Sequence, residues 1–327
     1  VTADFETACP WIDWRLSWDD PDADAGLALQ QHLAQRTAAA GTVDLAINLD
    51  GFNPLTQVLT TWLRPRYVAG GALTPNLRRE LPWGDLPQQR FLADPDWDSA
   101  AFLERYGEVF TSNYIAELFC QLAFITTNYE AIELPSVDPG FPVPDVLIHC
   151  TTARAAKIWS FSHWRQVVEA CGARGISVGL VGSPPAAQRA DYHSEGGEES
   201  LLANTALIDL RGRTSLIQLA GACRQAAAVV SVDAGPMHIA AAVGTPTLAI
   251  VGNDAAGAGA SPIRLWLPRL SVLQRTESAF SCSACADNRY RNDACLIEGH
   301  PCMAGVEPEQ VMRWLAAVPG LRERWLN

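Results

Sequence analysis

Several absences narrow the class of this sequence. No stretch of 18 or more uninterrupted apolar residues occurs among its 327, so no membrane-spanning helix is expected. The amino terminus, Val1-Thr2-Ala3-Asp4, has neither the basic start nor the apolar run of a secretory signal, and a soluble, cytoplasmic protein is the expectation. Positive charge is scarce: 24 Lys and Arg against 36 Asp and Glu give a formal charge of -12, which opposes broad attraction to nucleic acid or to an anionic membrane surface. No nucleic-acid partner is expected. The GxGxxG dinucleotide fingerprint, the GxxxxGKS/T phosphate loop and the GxSxG elbow are all missing, so dehydrogenase, NTPase and hydrolase readings lose their main support. Internal repeats and low-complexity tracts are absent as well.

What remains is a chain of 48% apolar residues, long enough to bury cores in two domains. Its sharpest punctuation is LPSVDPGFPVP, Leu134 to Pro144, where four prolines and a glycine exclude both helix and central strand. The expected division is 1–138 and 139–327. Beyond it the pattern is regular: apolar runs at Asp145 to Cys150, Ile176 to Gly182, Ala206 to Leu210, Ala228 to Val232 and Thr247 to Gly252 read as strands. Helical spacing falls between them, with Trp164, Val167, Val168 and Cys171 on one face of the first, then about Thr214 to Ala227 and Pro236 to Val243. Strands separated by helices imply a parallel, doubly wound α/β sheet. The first domain is less regular. Asp44 to Asp50 reads as a strand, Phe52 to Leu63 as a helix, Leu81 to Asp98 as loop and Tyr114 to Ala123 as a helix, too few strands for a complete doubly wound domain.

Three loops of the second domain suit an anion. At Val229 to Gly252, Asp233 ends a strand, Gly235 allows close backbone approach, and Pro236 suits the first helical position, leaving a bare helix amino terminus whose amides and dipole favour a phosphate. His238 stands in that first turn. The competing reading makes Asp233 a simple cap and His238 a packing residue. Thr151, Thr152, Arg154 and Lys157 bring hydroxyls and cations to the end of an earlier strand, as a diphosphate needs when no divalent metal is present; the competing reading is an exposed loop with ordinary solvated charges. Thr214 and Ser215 follow Arg211-Gly212-Arg213, where one hydroxyl caps the helix and the other can meet a phosphate.

The succession TTARAAKIW, LVGS at Leu180 to Ser183, DLRGRTSLIQLAGACRQA and SVDAGPMHIAAAVGTPTLAIVG resembles the C-terminal domain of family 9 glycosyltransferases, the ADP-heptose:lipopolysaccharide heptosyltransferases, over roughly residues 145 to 317. The resemblance implies a GT-B fold, two Rossmann-like domains facing a cleft, and an inverting transfer without a metal. By the same resemblance Thr151, Thr152 and Lys157 hold the diphosphate, Thr214 and Ser215 flank it, and Asp233, Gly235, Pro236, Met237 and His238 line the donor pocket. Lys157 would stabilise the leaving diphosphate, and a carboxylate must take the acceptor proton. The family's opening Gly-Asp loop, whose Asp is the expected base, has no counterpart in this sequence. Asp50 in NLDG is the best substitute for it or an acceptor ligand, or else a turn-forming Asp before Gly.

Nine cysteines are unevenly spread. Cys9, Cys120, Cys150, Cys171 and Cys223 read as small buried hydrophobes of a reducing compartment. Cys282, Cys285, Cys295 and Cys302, in a loop spanning 282–303, have the spacing C-x2-C-x9-C-x6-C, which suits structural zinc or an iron-sulfur cluster, with His300 as an alternative ligand; free thiols would have the same spacing. Partners are expected to be a nucleotide-sugar donor, with ADP-heptose implied by resemblance, and a carbohydrate, lipid-linked or small-molecule acceptor. Two other functions fit the same residues: a non-catalytic nucleotide-sugar-binding protein and a GT-B sugar-nucleotide epimerase.

Overall fold

The computed structural model describes residues 3–16, 25–51, 53–99, 101–129, 131–194, 196–253 and 262–326. The chain separates into two units, Pro10–Asn128 and a larger one made of Tyr129–Asn327 together with Val1–Cys9. The Pro-rich connector groups with the larger unit because it is tied there by its backbone. Val137 N–H donates to the Ile217 carbonyl at 3.0 Å, and the Val137 carbonyl passes so close to Gly221 that a Cβ there would stand 1.7 Å from it. Glycine at position 221, inside the helix Leu216–Gln225, is therefore a packing requirement.

In the smaller unit, β1 (Leu45–Asn48) and β2 (Tyr67–Gly70) pair in parallel as a two-stranded sheet. The described helices include α1 (Ala25–Ala40), α2 (Pro54–Trp62) and α3 (Ile115–Leu122). Asn53 caps α2, its side chain accepting from Leu55 N–H, and Pro54 occupies the first turn. Phe52, where this helix was expected to begin, lies outside the described residues. The core is aromatic: Phe91, Phe102 and Phe110 meet edge to face with centroids 5.1–6.1 Å apart, over Leu118 and Leu122 of α3. Leu81 to Asp98, expected as loop, contains the helical turns Pro87–Arg90 and Phe91–Ala93 and supplies Phe91 to that core.

The larger unit holds a six-stranded parallel sheet: β3 (Val146–His149), β4 (Val178–Leu180), β5 (Ile208–Asp209), β6 (Ala228–Val232), β7 (Thr247–Gly252) and β8 (Leu273–Glu277), in the order β5-β4-β3-β6-β7-β8. Every residue of β3, β4, β6 and β7 is buried, as strands covered on both faces must be. Alternation divides them. Val146, Ile148, Val230 and Val232 face one layer with Trp164, Val167 and Cys171 of α4 (Phe161–Gly172). Leu147 and Val229 face the other, with Leu219 and Ala220 of α7 (Leu216–Gln225) and Ile239 and Ala240 of α8 (Gly235–Ala242). Between these helices run α5 (Pro185–Asp191) and α6 (Gly197–Asn204); α9 (Pro308–Ala317) closes the first layer with Val311 and Leu315.

Consecutive strands depart in opposite directions from β3 and β6, so the order reverses between these two neighbours. That is the topological switch point, where the carboxyl ends of the strands open a crevice. β8 was not anticipated. Its Gln274 and Arg275 are exposed at the sheet edge, which breaks the apolar run that marks the central strands.

Candidate active site

A pocket of about 320 Å³ opens at this switch point. His149 ends β3, Gly182 and Ser183 follow β4, Thr214 and Ser215 follow β5, and Gly235 and Pro236 follow β6, so four strand ends border one hollow. Two larger hollows exist, about 540 Å³ beside the Cys-rich loop and about 380 Å³ in the smaller unit. Neither lies at strand ends around the switch point, so the smaller pocket is the stronger ligand candidate.

The wall at β6 is a helix amino terminus. Ala234, the residue before α8, has extended backbone and offers no side-chain cap, and Pro236 sits in the first turn. Ala234 thus leaves the first amides of α8 without a cap from the N-cap side chain, the arrangement an anion site uses. Asp233, one residue before the N-cap, pairs with Lys157. Its carboxylate and its carbonyl both accept from Lys157 Nζ, at 3.2 and 2.9 Å, the ammonium being brought there by the 3-10 turn Ala155–Lys157. The pair is mostly buried, with side chains 19% and 9% exposed. Lys157 is the single lysine of the chain; the other 23 of its 24 basic residues are arginines.

His238, half-buried in α8, is held below the usual imidazole range by burial, with Lys157 adding to the effect and Asp233 opposing it. It is neutral near pH 7, with one N–H to give and one lone pair to receive. His149 is likewise kept neutral by burial, its Nδ1 2.9 Å from the Val181 carbonyl. At the β5 end the two adjacent hydroxyls separate in role. Ser215 forms a capping box with Gln218, Gln218 N–H donating to Ser215 Oγ at 3.4 Å and Ser215 N–H to Gln218 Oε1 at 2.9 Å. Thr214 is left on the pocket wall. Leu216 N–H, also at this helix start, donates to Asp4 Oδ2 at 3.1 Å.

Other expected residues are placed differently. Thr151 and Thr152 are fully or nearly fully buried; the Thr151 hydroxyl accepts from Gln188 Nε2, and the Thr152 carbonyl accepts from His193 N–H at 3.1 Å. Arg154 turns toward the Cys-rich loop, donating to the Asn292 carbonyl at 2.7 and 3.0 Å. Met237 is buried against Ala249, Val251 and Ile263, which makes it support beneath the helix rather than wall. Asp50 belongs to the smaller unit, exposed just past β1, where Oδ2 accepts from Asn53 Nδ2 at 3.0 Å. Reasoning from sequence missed His149, Gln188 and Tyr192 on the wall. For His149 the signal was its place as the last residue of the central strand β3; Gln188 and Tyr192 arrive through a helix and carried none.

The Cys-rich loop is not gathered into a ligand set: among the described residues no three His, Cys, Asp or Glu side chains are placed to hold a metal. The four cysteines are free thiols, and burial first, then the nearby Cys295, Cys282 and Cys285, push the Cys302 thiol up to about 11. Asn292 Nδ2 donates to Cys285 Sγ at 3.2 Å and Ile297 N–H to Cys295 Sγ at 3.4 Å.

A doubly wound parallel sheet with a nucleotide-sized pocket at its switch point, preceded by a second α/β unit, defines the GT-B class. Two solved structures share the fold: a glycosyl transferase family 9 protein from Veillonella parvula (TM-score 0.63, 17% identity, 97% of this chain and 84% of that one) and an Escherichia coli heptosyltransferase solved with ADP (TM-score 0.52, 16% identity, 93% and 79%). Residues 120–280 match the family model for glycosyltransferase family 9 (heptosyltransferase), and that segment of the chain is a family 9 domain. Lipopolysaccharide heptosyltransferase 1 of Pseudomonas aeruginosa is 37% identical over 121 residues, 37% of this chain and 31% of that protein; its counterpart from Salmonella typhimurium is 31% identical over 107 residues, 33% and 31%. The chain thus matches about a third of the length of these curated relatives. Among the described residues no helix is long and apolar enough to cross a membrane.

Proposed function

We propose that the protein is an inverting, metal-independent glycosyltransferase that moves a heptose from ADP-heptose to an acceptor on the cytoplasmic side. The observation that carries this reading is the switch-point pocket, with the amino terminus of α8, which has no side-chain cap from Ala234, on its wall and the Lys157–Asp233 pair beside it. A diphosphate would draw Lys157 and the α8 amides, and the Asp233 carboxylate, an acceptor only, suits sugar hydroxyls.

In the reaction an acceptor hydroxyl oxygen attacks the anomeric carbon from the face opposite the diphosphate. The carbon–oxygen bond to the diphosphate breaks, and its electron pair leaves on the phosphate oxygen. Negative charge grows there, so Lys157 and the helix amides stabilise the transition state more than the bound donor. The hydroxyl proton goes to a carboxylate, and Asp50 is our choice: it is exposed at a strand's carboxyl end and hydrogen-bonded through one oxygen to Asn53. The curated relatives, named for lipopolysaccharide, support a lipopolysaccharide core as acceptor; the acidic chain favours a soluble one.

The test is release of ADP from ADP-heptose with heptose-deficient lipopolysaccharide or small soluble sugars as acceptors. Acceptor-dependent release, reduced about 100-fold or more in Lys157→Ala, supports the reading. Tight donor binding with no release on any acceptor would leave a binding protein, and conversion of the free donor to an isomeric sugar nucleotide an epimerase.

For the Cys-rich loop we propose a structural metal, zinc or an iron-sulfur cluster. The reading is supported by the four-thiol spacing and by the N–H groups aimed at Cys285 and Cys295. Elemental analysis of protein purified without chelators decides: about one site's worth of zinc or iron supports it, and background levels overturn it.

A further inference from the structure

Gln188, on α5, is 1% exposed and borders the switch-point pocket. Its side-chain amide is over-determined. The Ser183 N–H can only donate, and it donates to Gln188 Oε1 at 3.0 Å, which fixes the other end of the amide as NH2. Those two hydrogens have two acceptors: Thr151 Oγ1, in the loop after β3, and Glu198 Oε1 at 3.4 Å, on α6. Glu198 is itself buried and gives its second oxygen to Arg211 Nη1 at 2.9 Å, in the loop after β5. Arg211 is anchored in turn by Asp209 at 3.0 Å. One side chain therefore ties together the ends of β3 and β4 directly, and the end of β5 through one ion pair.

The sequence makes room for this hub. A Cβ on Gly182 would stand 2.8 Å from Gln188 Nε2, so the amide crosses the end of β4 only because residue 182 has no side chain. Thr151 gains a role distinct from ligand contact, since it is fully buried and its hydroxyl is committed to Gln188.

We propose that Gln188 is a positioning residue of the nucleotide pocket: its amide, oriented by the Glu198–Arg211 pair, holds the loops after β3, β4 and β5 in the spacing that receives a nucleoside diphosphate. This rests on the donor-site reading above. Gln188 does not touch the reacting atoms. It acts through Ser183 and through the loop that carries Thr214, both on the pocket wall.

The experiment is calorimetric titration with ADP, paired with a thermal melt for each variant. Gln188→Glu keeps the acceptor for Ser183 N–H but loses both donors and sets a second carboxylate against Glu198; ADP binding should weaken about tenfold or more. The exchange Q188E/E198Q restores a donor between the two positions and lets the Thr151 hydroxyl donate instead, so affinity should return to within about threefold of wild type. Gly182→Ala, which displaces the amide without removing it, should weaken ADP in the same direction. A Gln188→Glu protein that melts lower yet binds ADP as wild type does, or an exchange variant that regains melting temperature without affinity, would reduce Gln188 to a structural residue and overturn the proposal. Should Gln188→Glu fail to fold, unchanged ADP binding by Gly182→Ala is the overturning result. If wild type binds no ADP, or binds it equally well with Lys157→Ala, the donor-site reading falls and this proposal with it; failure of the Gln188 series alone leaves that reading standing.

Discussion

The two units of this chain bury their cores by different means. The larger one stacks helices on both faces of a parallel sheet, and its interior is read off as apolar strands in alternating register, Val146 and Ile148 to one layer, Leu147 to the other. The smaller one rests on an aromatic cluster drawn from irregular chain and leaves the β1 side chains Leu45 and Ile47 more than 40% exposed. A repeating strand–helix pattern places ligand-binding loops predictably at strand ends. A core made of Phe91, Phe102 and Phe110 carries no such rule.

The sharpest way to break this comparison is to ask which unit serves which substrate. If Asp50 takes the acceptor proton, Asp50→Asn lowers turnover about 10²- to 10⁴-fold while ADP affinity in calorimetry stays as in wild type. A variant that loses ADP binding instead would move the nucleotide site toward the smaller unit. Next in size are the cores. Trp164→Ala and Phe91→Ala each remove a fully buried ring and should cost ~3–5 kcal/mol, read in urea melts. Phe91→Ala is expected to lower the transition of the smaller unit alone and leave ADP binding in place.

A smaller effect separates the two hydroxyls after β5. Ser215→Ala should lose about 1 kcal/mol of stability because it removes the cap of α7, whereas Thr214→Val should leave stability nearly unchanged and weaken ADP. The smallest concerns the amino-terminal end of β3, just before Val146. Arg324 first, then Ser177, holds the Asp145 carboxyl down from 3.8 to about 2, against its partial burial. Because the folded value is the lower one, the contribution is complete above pH 3.8 and fades as pH falls toward 2. The pair is partly exposed, so Asp145→Asn is expected to cost no more than about 1 kcal/mol in melts at pH 7, and the difference from wild type should narrow below pH 3.8 and close only as pH falls through about 2.

Legibility followed burial. Ala228–Val232 and Thr247–Gly252 form strands at their expected bounds because both are buried throughout between helices. β8 escaped notice because an edge strand carries Gln274 and Arg275 outward. In the site, the glycine and proline that open α8, and Lys157 as a cation at a strand end, follow from local rules of helix termini. The partner of Thr151 was not legible: a hydroxyl at a strand end looks available until a side chain from another element, here Gln188, bonds to it. Nor was the packing of Met237 legible: it lies on the inner face of α8, against Ala249 and Val251. Such partners lie tens of residues away, and no local pattern announces them.

Because Lys157 is the chain's single lysine, its amine can be followed alone. Acylation of Lys157 by a mild amine-reactive ester, timed by peptide mass spectrometry with and without saturating ADP, tests the central claim most directly. Seating a diphosphate at the switch point should slow the reaction at least about fivefold, while AMP, lacking the second phosphate, should protect less. An equal acylation rate with and without bound ADP would contradict the account.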